Sequence, residues 1–165
     1  TMTFSSSLDT SYPPNQEGLT QTEQSTIREA IDILQNRLQQ TETMTSSKEV
    51  KAFCQLKLGI QKDEHFSCLF LNSQHHLIAF ETLFKGTIDS ASVYSRVVVR
   101  RTLELNAAAI IFSHNHPSGN VTPSSSDIAV TKRLADALKL IDVRVLDHIV
   151  VGQSGSTSMA ESGLM

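Results

Sequence analysis

The sequence predicts a mixed α/β chain of the α+β kind, built on a sheet that is mixed or largely antiparallel. Two observations carry this. Apolar side chains recur at steps of three and four in some segments and in short alternating or unbroken runs in others. Read in order, the segments run α, α, β, β, α, β, loop, α, β, β, with two places where strand follows strand directly.

Residues 1–21 are polar and carry Pro13, Pro14 and Gly18, which suits a loosely attached arm. In residues 22–40, Ile27, Ile31, Leu34 and Leu38 fall on one helical face. A polar stretch over 39–47 suggests a boundary, so the chain divides into residues 1–43, an arm plus one helix, and a domain over 44–165. A second helix is expected over 47–58, with Gly59 as its stop. Residues 65–71 and 76–84 read as a hairpin turned at Asn72, Ser73, Gln74 and His75. A helix is expected over 92–105, opened by Ser92 and closed by Asn106. Residues 107–113 form a short apolar strand, buried on both faces. A loop over 114–126 leads into a helix ending near Leu140, then a buried strand over 143–151 and a short last strand over 156–159.

The 165 residues amount to about one domain. With no Trp and 5% aromatic residues, Val, Ile, Leu and Ala must build most of the core. The net charge of -3 points to neither a nucleic acid nor a membrane surface. The densest basic stretch places Lys85, Arg96, Arg100 and Arg101 against Asp89 alone; it could meet phosphates, but a solvated helix face explains it more simply. Cys54 and Cys68 form no CxxC pair and sit among apolar residues, which fits buried free thiols better than zinc ligands. No run approaches the ~20 apolar residues of a membrane span, and residues 1–7 lack a basic and an apolar signal region. A cytoplasmic location is the expectation.

The chemistry concentrates in Ser113-His114-Asn115-His116-Pro117-Ser118-Gly119-Asn120-Val121-Thr122-Pro123-Ser124-Ser125-Ser126-Asp127. Extended residues two apart point to the same face, so His114 and His116 can converge on one ion. Asp127 lies in the first turn of the next helix, and the Pro- and Gly-containing loop can fold it back to the same point. Two imidazoles and one carboxylate leave an open position on four-coordinate zinc, the mark of a catalytic site. A base outside the ligand set is needed for hydrolysis. Glu81, the one acidic residue inside the hairpin, is the candidate, although an edge-strand surface residue would look the same. Ser124 could donate its hydroxyl to the oxyanion of a tetrahedral intermediate. Ser124 and Asp127 also match a capping box, and taken alone that is the stronger explanation. His65, His75, His76 and His148 read as structural or exposed. Asp147 could support a ligand histidine, but an unrelated buried hydrogen bond is the simpler reading.

The spacing His114-x-His116, seven residues, then Ser124-x-x-Asp127 resembles the JAMM motif of MPN-domain metalloproteases. With Leu146-Asp147-His148-Ile149 downstream and Glu81-Thr82-Leu83-Phe84-Lys85-Gly86-Thr87-Ile88 upstream, residues 44–165 are similar to the RadC branch of bacterial proteins. The resemblance implies an MPN fold, a curved mixed sheet flanked by helices with cytidine-deaminase-like layering. It implies one zinc ion on His114, His116 and Asp127, a general base at Glu81 and an oxyanion-stabilising hydroxyl at Ser124. Longer RadC relatives carry a helix-hairpin-helix region, and residues 1–43 show no such glycine-marked hairpin, so the chain resembles a short form. The contiguous letters His-Asn-His are no sign of an HNH nuclease, whose name comes from residues far apart. Zinc deaminase chemistry lacks its HxE and CxxC.

Two functions follow as expectations. The first is a zinc-dependent hydrolase of peptide or isopeptide bonds, with a peptide or protein as substrate. The second is a DNA-associated accessory protein with a structural or nuclease-type metal, motivated by the family label and by Arg96, Arg100 and Arg101.

Overall fold

The computed structural model describes residues 18–40, 47–86 and 92–165. Helices α1 (Gln21–Gln40) and α2 (Ser47–Leu58) precede the hairpin β1 (His65–Leu71) and β2 (Leu77–Lys85). Then follow α3 (Ser95–Glu104), β3 (Ala109–Asn115), α4 (Ser125–Lys139), β4 (Arg144–Val151) and β5 (Ser156–Ser158). The five strands form one sheet in the order β2-β1-β3-β4-β5. Only β3 and β4 run parallel; β1 is antiparallel to both β2 and β3, and β5 to β4. The mixed sheet matches the expectation from sequence.

Side chains alternate across the sheet, and each face has its own helix pair. Leu69, Leu71, Ala109, Ile111, Ile149 and Val151 pack under α1 and α2 with Ile31, Leu38, Phe53 and Leu58. Phe66, Cys68, Phe70, Ile110 and Phe112 pack on the other face with Val98, Val130, Leu134 and Leu138 of α3 and α4. The helix expected to belong to the N-terminal arm therefore contributes to the same core as α2. The expected boundary at residue 43 and the arm over 1–17 fall outside the described residues.

Local chemistry sets the turns. The Asn72 side chain accepts from the backbone N–H groups of Gln74 (2.9 Å) and His76 (2.9 Å), which bends the hairpin and holds His75 at φ 63°. Asn106 closes α3 in the left-handed region at φ 51°. α3 opens at Ser95 with Tyr94 as its cap, three residues later than Ser92 promised, and Arg133 donates to the Val93 carbonyl just before it. β3 also runs two residues past the expected end at Ser113. It stays in register through His114 and Asn115 because β4 pairs with it as far as Val151.

Candidate metal centre

Three chain segments meet at the C-terminal end of β3, the end where α/β sheets place ligands. β3 ends there, α4 begins there, and β1 starts there because it runs antiparallel to β3. His114 is the second-last residue of β3 and faces the α3–α4 side with Phe66, its partner across β1. His116 lies one residue past the strand, its backbone N–H still bonded to the Val151 carbonyl at 2.7 Å. Pro117 and Ser118 then form a turn closed by the Gly119 N–H on the His116 carbonyl (2.9 Å), with Gly119 at φ 81°.

The turn brings α4 back over the strand end. Ser124 caps the helix: its Oγ accepts from the Asp127 N–H at 3.1 Å, and Asp127 Oδ2 accepts from the Ser124 N–H at 2.6 Å and from its hydroxyl at 2.7 Å. This reciprocal box leaves Asp127 Oδ1 aimed at His114. His114 Nε2 lies 3.1 Å from Oδ1, His116 Nε2 3.4 Å from Oδ2, and the two Nε2 atoms 2.9 Å from one another. The structure thus brings His114, His116, Asp127 and Ser124 together.

These distances suit a metal. Nitrogen and oxygen ligands at ~2.1 Å in tetrahedral array stand about 3.4 Å apart. The His116 Nδ1 donates to the Asn120 carbonyl at 2.6 Å, so its Nε2 is free to offer a lone pair. Burial pushes the Asp127 pKa up, yet the neighbouring His114, His116 and Ser124 outweigh it and hold the carboxyl well below the usual carboxylate range. The hydrogen bond to Asp127, against burial, raises the His116 pKa. Among the described residues, His114, His116 and Asp127 are the only such cluster of potential metal ligands. Cys54 and Cys68 are elsewhere in the core, and burial pushes the Cys54 thiol up to about 12, so neither offers a thiolate.

Glu81 is not joined to this group by any contact. It sits on edge strand β2 and is clamped by Arg101 of α3, Nη2 to Oε1 at 2.6 Å and Nε to Oε2 at 2.7 Å. The charge of another carboxylate reaches the site. The antiparallel register that sets Phe66 opposite His114 carries Glu64, two residues before Phe66, to a position across from His116. The charge of Glu64 helps raise the His116 pKa. Glu64 escapes a reading of the sequence because it sits just outside the first strand, where an acidic side chain needs no explanation. Only the pairing of β1 with β3 makes it a neighbour of the histidines.

The residue between the histidines is equally informative. Asn115 is buried, and its side chain accepts from the His65 N–H (2.8 Å) and donates to the carbonyls of Asp63 (2.9 Å) and Gln61 (3.3 Å). It fastens the segment that carries Glu64 to the end of β3. His148 of β4 is fully buried, and its Nε2 lies 2.8 Å from His114 Nδ1. Asp147 makes the unrelated bonds expected of it, accepting from the N–H groups of His148 and Ala160 and from the Ser158 hydroxyl.

Gly152, after β4, supports the loop from below. A Cβ there would stand 2.5 Å from the Gly119 carbonyl oxygen and 2.8 Å from Val121 Cγ1. Gly152→Ala is expected to cost about 1–3 kcal/mol through this overpacking. An unchanged midpoint in urea unfolding would mean that the loop yields freely.

A RadC-like JAB domain family model matches residues 44–164. The chain belongs to the RadC-like JAB family. Its five-stranded mixed sheet with flanking helices is consistent with the JAB/MPN fold. It is 50% identical over 137 residues to a UPF0758 protein of Vibrio cholerae serotype O1, covering 83% of this chain and 86% of that one. It is 53% identical over 132 residues to UPF0758 proteins of Methylibium petroleiphilum and Thioalkalivibrio sulfidiphilus. Those matches cover 80% of this chain but only 60% and 59% of the relatives. This JAB domain thus spans most of the first relative and about three-fifths of the other two. Among its described residues no helix is long and apolar enough to cross a membrane.

Proposed function

We propose that this RadC-like JAB domain is a zinc-dependent hydrolase of amide bonds, peptide or isopeptide, acting on a peptide or protein in the cytoplasm. One observation carries the proposal: two imidazole nitrogens and a carboxylate converge at a strand end, all within 4.8 Å of one another, with a further carboxylate just before the adjacent strand whose charge reaches His116. Of the three ligand side chains, His116 is the most exposed at 16%, so a substrate approaches from its side.

His114, His116 and Asp127 would hold a zinc ion, which would activate a water near neutral pH and polarise the scissile carbonyl. In this reading Glu64, whose charge reaches His116, takes the attacking water's proton and returns it to the leaving amine nitrogen. Glu81, the base suggested by the hairpin and by the resemblance, has both oxygens engaged by Arg101; the geometry favours Glu64 for the role and gives Glu81 the anchoring of α3 on β2. Ser124 is the oxyanion donor in this scheme. Its hydroxyl proton now rests on Asp127 Oδ2 and must swing towards the substrate, while the Ser124 N–H keeps that carboxylate oxygen paired.

An amide suits the site better than a phosphodiester. Of the basic cluster on α3, Arg101 is spent on Glu81 and Glu104, and Arg100 faces Glu104 at 3.7 Å. Binding of duplex or single-stranded DNA at low salt, lost steeply as salt rises, would favour the DNA-associated alternative. Two buried free thiols suit a reducing compartment.

Zinc content and turnover of a quenched-fluorescence peptide library test the proposal. Purified protein is expected to hold one zinc per chain. Glu64→Gln is expected to keep the metal and lose about 10²–10⁴-fold in turnover. Glu81→Gln is expected to keep turnover and lose about 1–3 kcal/mol of stability, since its bonds to Arg101 involve charged groups. If Glu81→Gln abolishes turnover and Glu64→Gln does not, the base is Glu81.

A further inference from the structure

The hydrogen bonds around His114 do not end at His114. Its Nδ1 lies 2.8 Å from His148 Nε2, the His148 Nδ1 lies 2.6 Å from Thr131 Oγ1, and Thr131 Oγ1 lies 2.6 Å from the backbone carbonyl of Asp127. The chain therefore starts at one proposed ligand and finishes on the main chain of another. All its members are buried: His114 is 1% exposed, His148 0%, Thr131 3% and Asp127 5%. Phe66 and Phe112 stand edge-on to the His148 ring at 5.5 and 5.8 Å, and Met159 Sδ lies 3.8 Å from the Thr131 hydroxyl.

The position of every proton in this chain follows from counting donors and acceptors. A carbonyl only accepts, so the single Thr131 proton lies on the bond to Asp127. The Thr131 oxygen must then accept, and what it accepts is the His148 Nδ1–H. A neutral His148 has one ring proton, and an unpaired charge in this apolar box is costly. Its Nε2 is therefore bare and accepts the Nδ1–H of His114. That leaves His114 Nε2 without a proton, facing His116 Nε2 at 2.9 Å and Asp127 Oδ1 at 3.1 Å. The opposite orientation would set Thr131 Oγ1 against the Asp127 carbonyl with no proton between them. It would also point a His114 N–H into the place of the ion.

We propose that Thr131 and His148 are positioning residues of the metal centre, a two-member relay that fixes His114 as the tautomer whose Nε2 lone pair faces the ion. The proposal rests on the metal reading above, because His114 Nε2 without a proton faces Asp127 Oδ1 at 3.1 Å and a bound cation is what gives that pair a partner. The relay also closes a ring. Thr131 follows Asp127 by one helical turn, so the hydroxyl that orders the histidines is carried by the same helix that presents the carboxylate.

Thr131→Val keeps shape and removes the hydroxyl. With no acceptor for its Nδ1–H, His148 moves its proton to Nε2, donates to His114 and forces a proton onto His114 Nε2. The zinc dissociation constant, measured by competition with a chromophoric chelator, is expected to rise about 10–100-fold. Thr131→Ser restores the hydroxyl and is expected to restore the affinity, which a purely packing role would not do. Long-range proton–nitrogen NMR of the zinc-loaded wild type supplies an independent reading, in which His148 is expected to carry its single proton on Nδ1. Wild-type affinity in Thr131→Val, or a zinc-loaded His148 protonated on Nε2, overturns the relay. A wild type that takes up no zinc overturns the metal reading instead.

Discussion

Asp127→Ala is expected to empty the metal centre and weaken α4 in a single step. The residue holds two roles in this structure, Oδ1 towards His114 and Oδ2 in the capping box with Ser124. Losing the carboxylate half of the capping box, with the Ser124 cap itself kept, should cost about 0.5–1.5 kcal/mol without any metal present. Losing the ligand should bring zinc content down to background. It should also abolish the stabilisation that zinc gives the wild type, about 2.7 kcal/mol at a free concentration one hundred times the dissociation constant. Asp127→Asn separates the roles. Its amide oxygen can still accept from the Ser124 N–H, so the metal-free stability should stay near wild type while zinc is still lost. Urea unfolding with and without zinc, alongside elemental analysis, reads both. Stoichiometric zinc in Asp127→Ala would remove Asp127 from the ligand set.

The second large effect falls on a residue that offers no ligand. Asn115→Leu keeps the size of a buried side chain and deletes its three hydrogen bonds to residues 61, 63 and 65. The His65 N–H then loses its acceptor on Asn115, and the loss of a buried hydrogen bond costs about 1–3 kcal/mol. With the two carbonyl contacts added, the expected loss is roughly 2–4 kcal/mol, a fall in melting temperature on the order of 10 °C. Turnover should fall as well, because the segment freed from β3 is the one that carries Glu64 to its place across from His116. Wild-type thermal stability in this variant would show that the clamp is idle. Lost stability with full turnover would show that Glu64 needs no such fastening.

These two residues also mark how far the sequence reaches. Asp127 is legible because its chemistry is local. The HxH spacing, the turn-forming loop and the capping pattern all lie within one stretch of chain, and short-range periodicity places each on a strand end or a helix start. The order of elements and the mixed sheet are legible for the same reason, since apolar period follows directly from which face of an element is buried. Asn115 is invisible by that route. Standing between two histidines it looks like a spacer, and alternation along a strand says only that it faces the other way.

What the tertiary structure alone decides is which distant residues share the strand end. The sequence by itself determines a metal-type cluster of His114, His116 and Asp127, a mixed sheet and a helix capped by Ser124. It leaves Glu81 the conspicuous carboxylate, because an acid inside an apolar hairpin stands out. The fold instead ties Glu81 to Arg101 and, through the antiparallel pairing of β1 with β3, brings Glu64 opposite His116. The parallel pairing of β3 with β4 likewise puts His148 behind His114. Register between strands is fixed by the packing of both sheet faces against their helices. No local pattern encodes it, so the His-His-Asp cluster could be read from the chain while the residues packed around it could not.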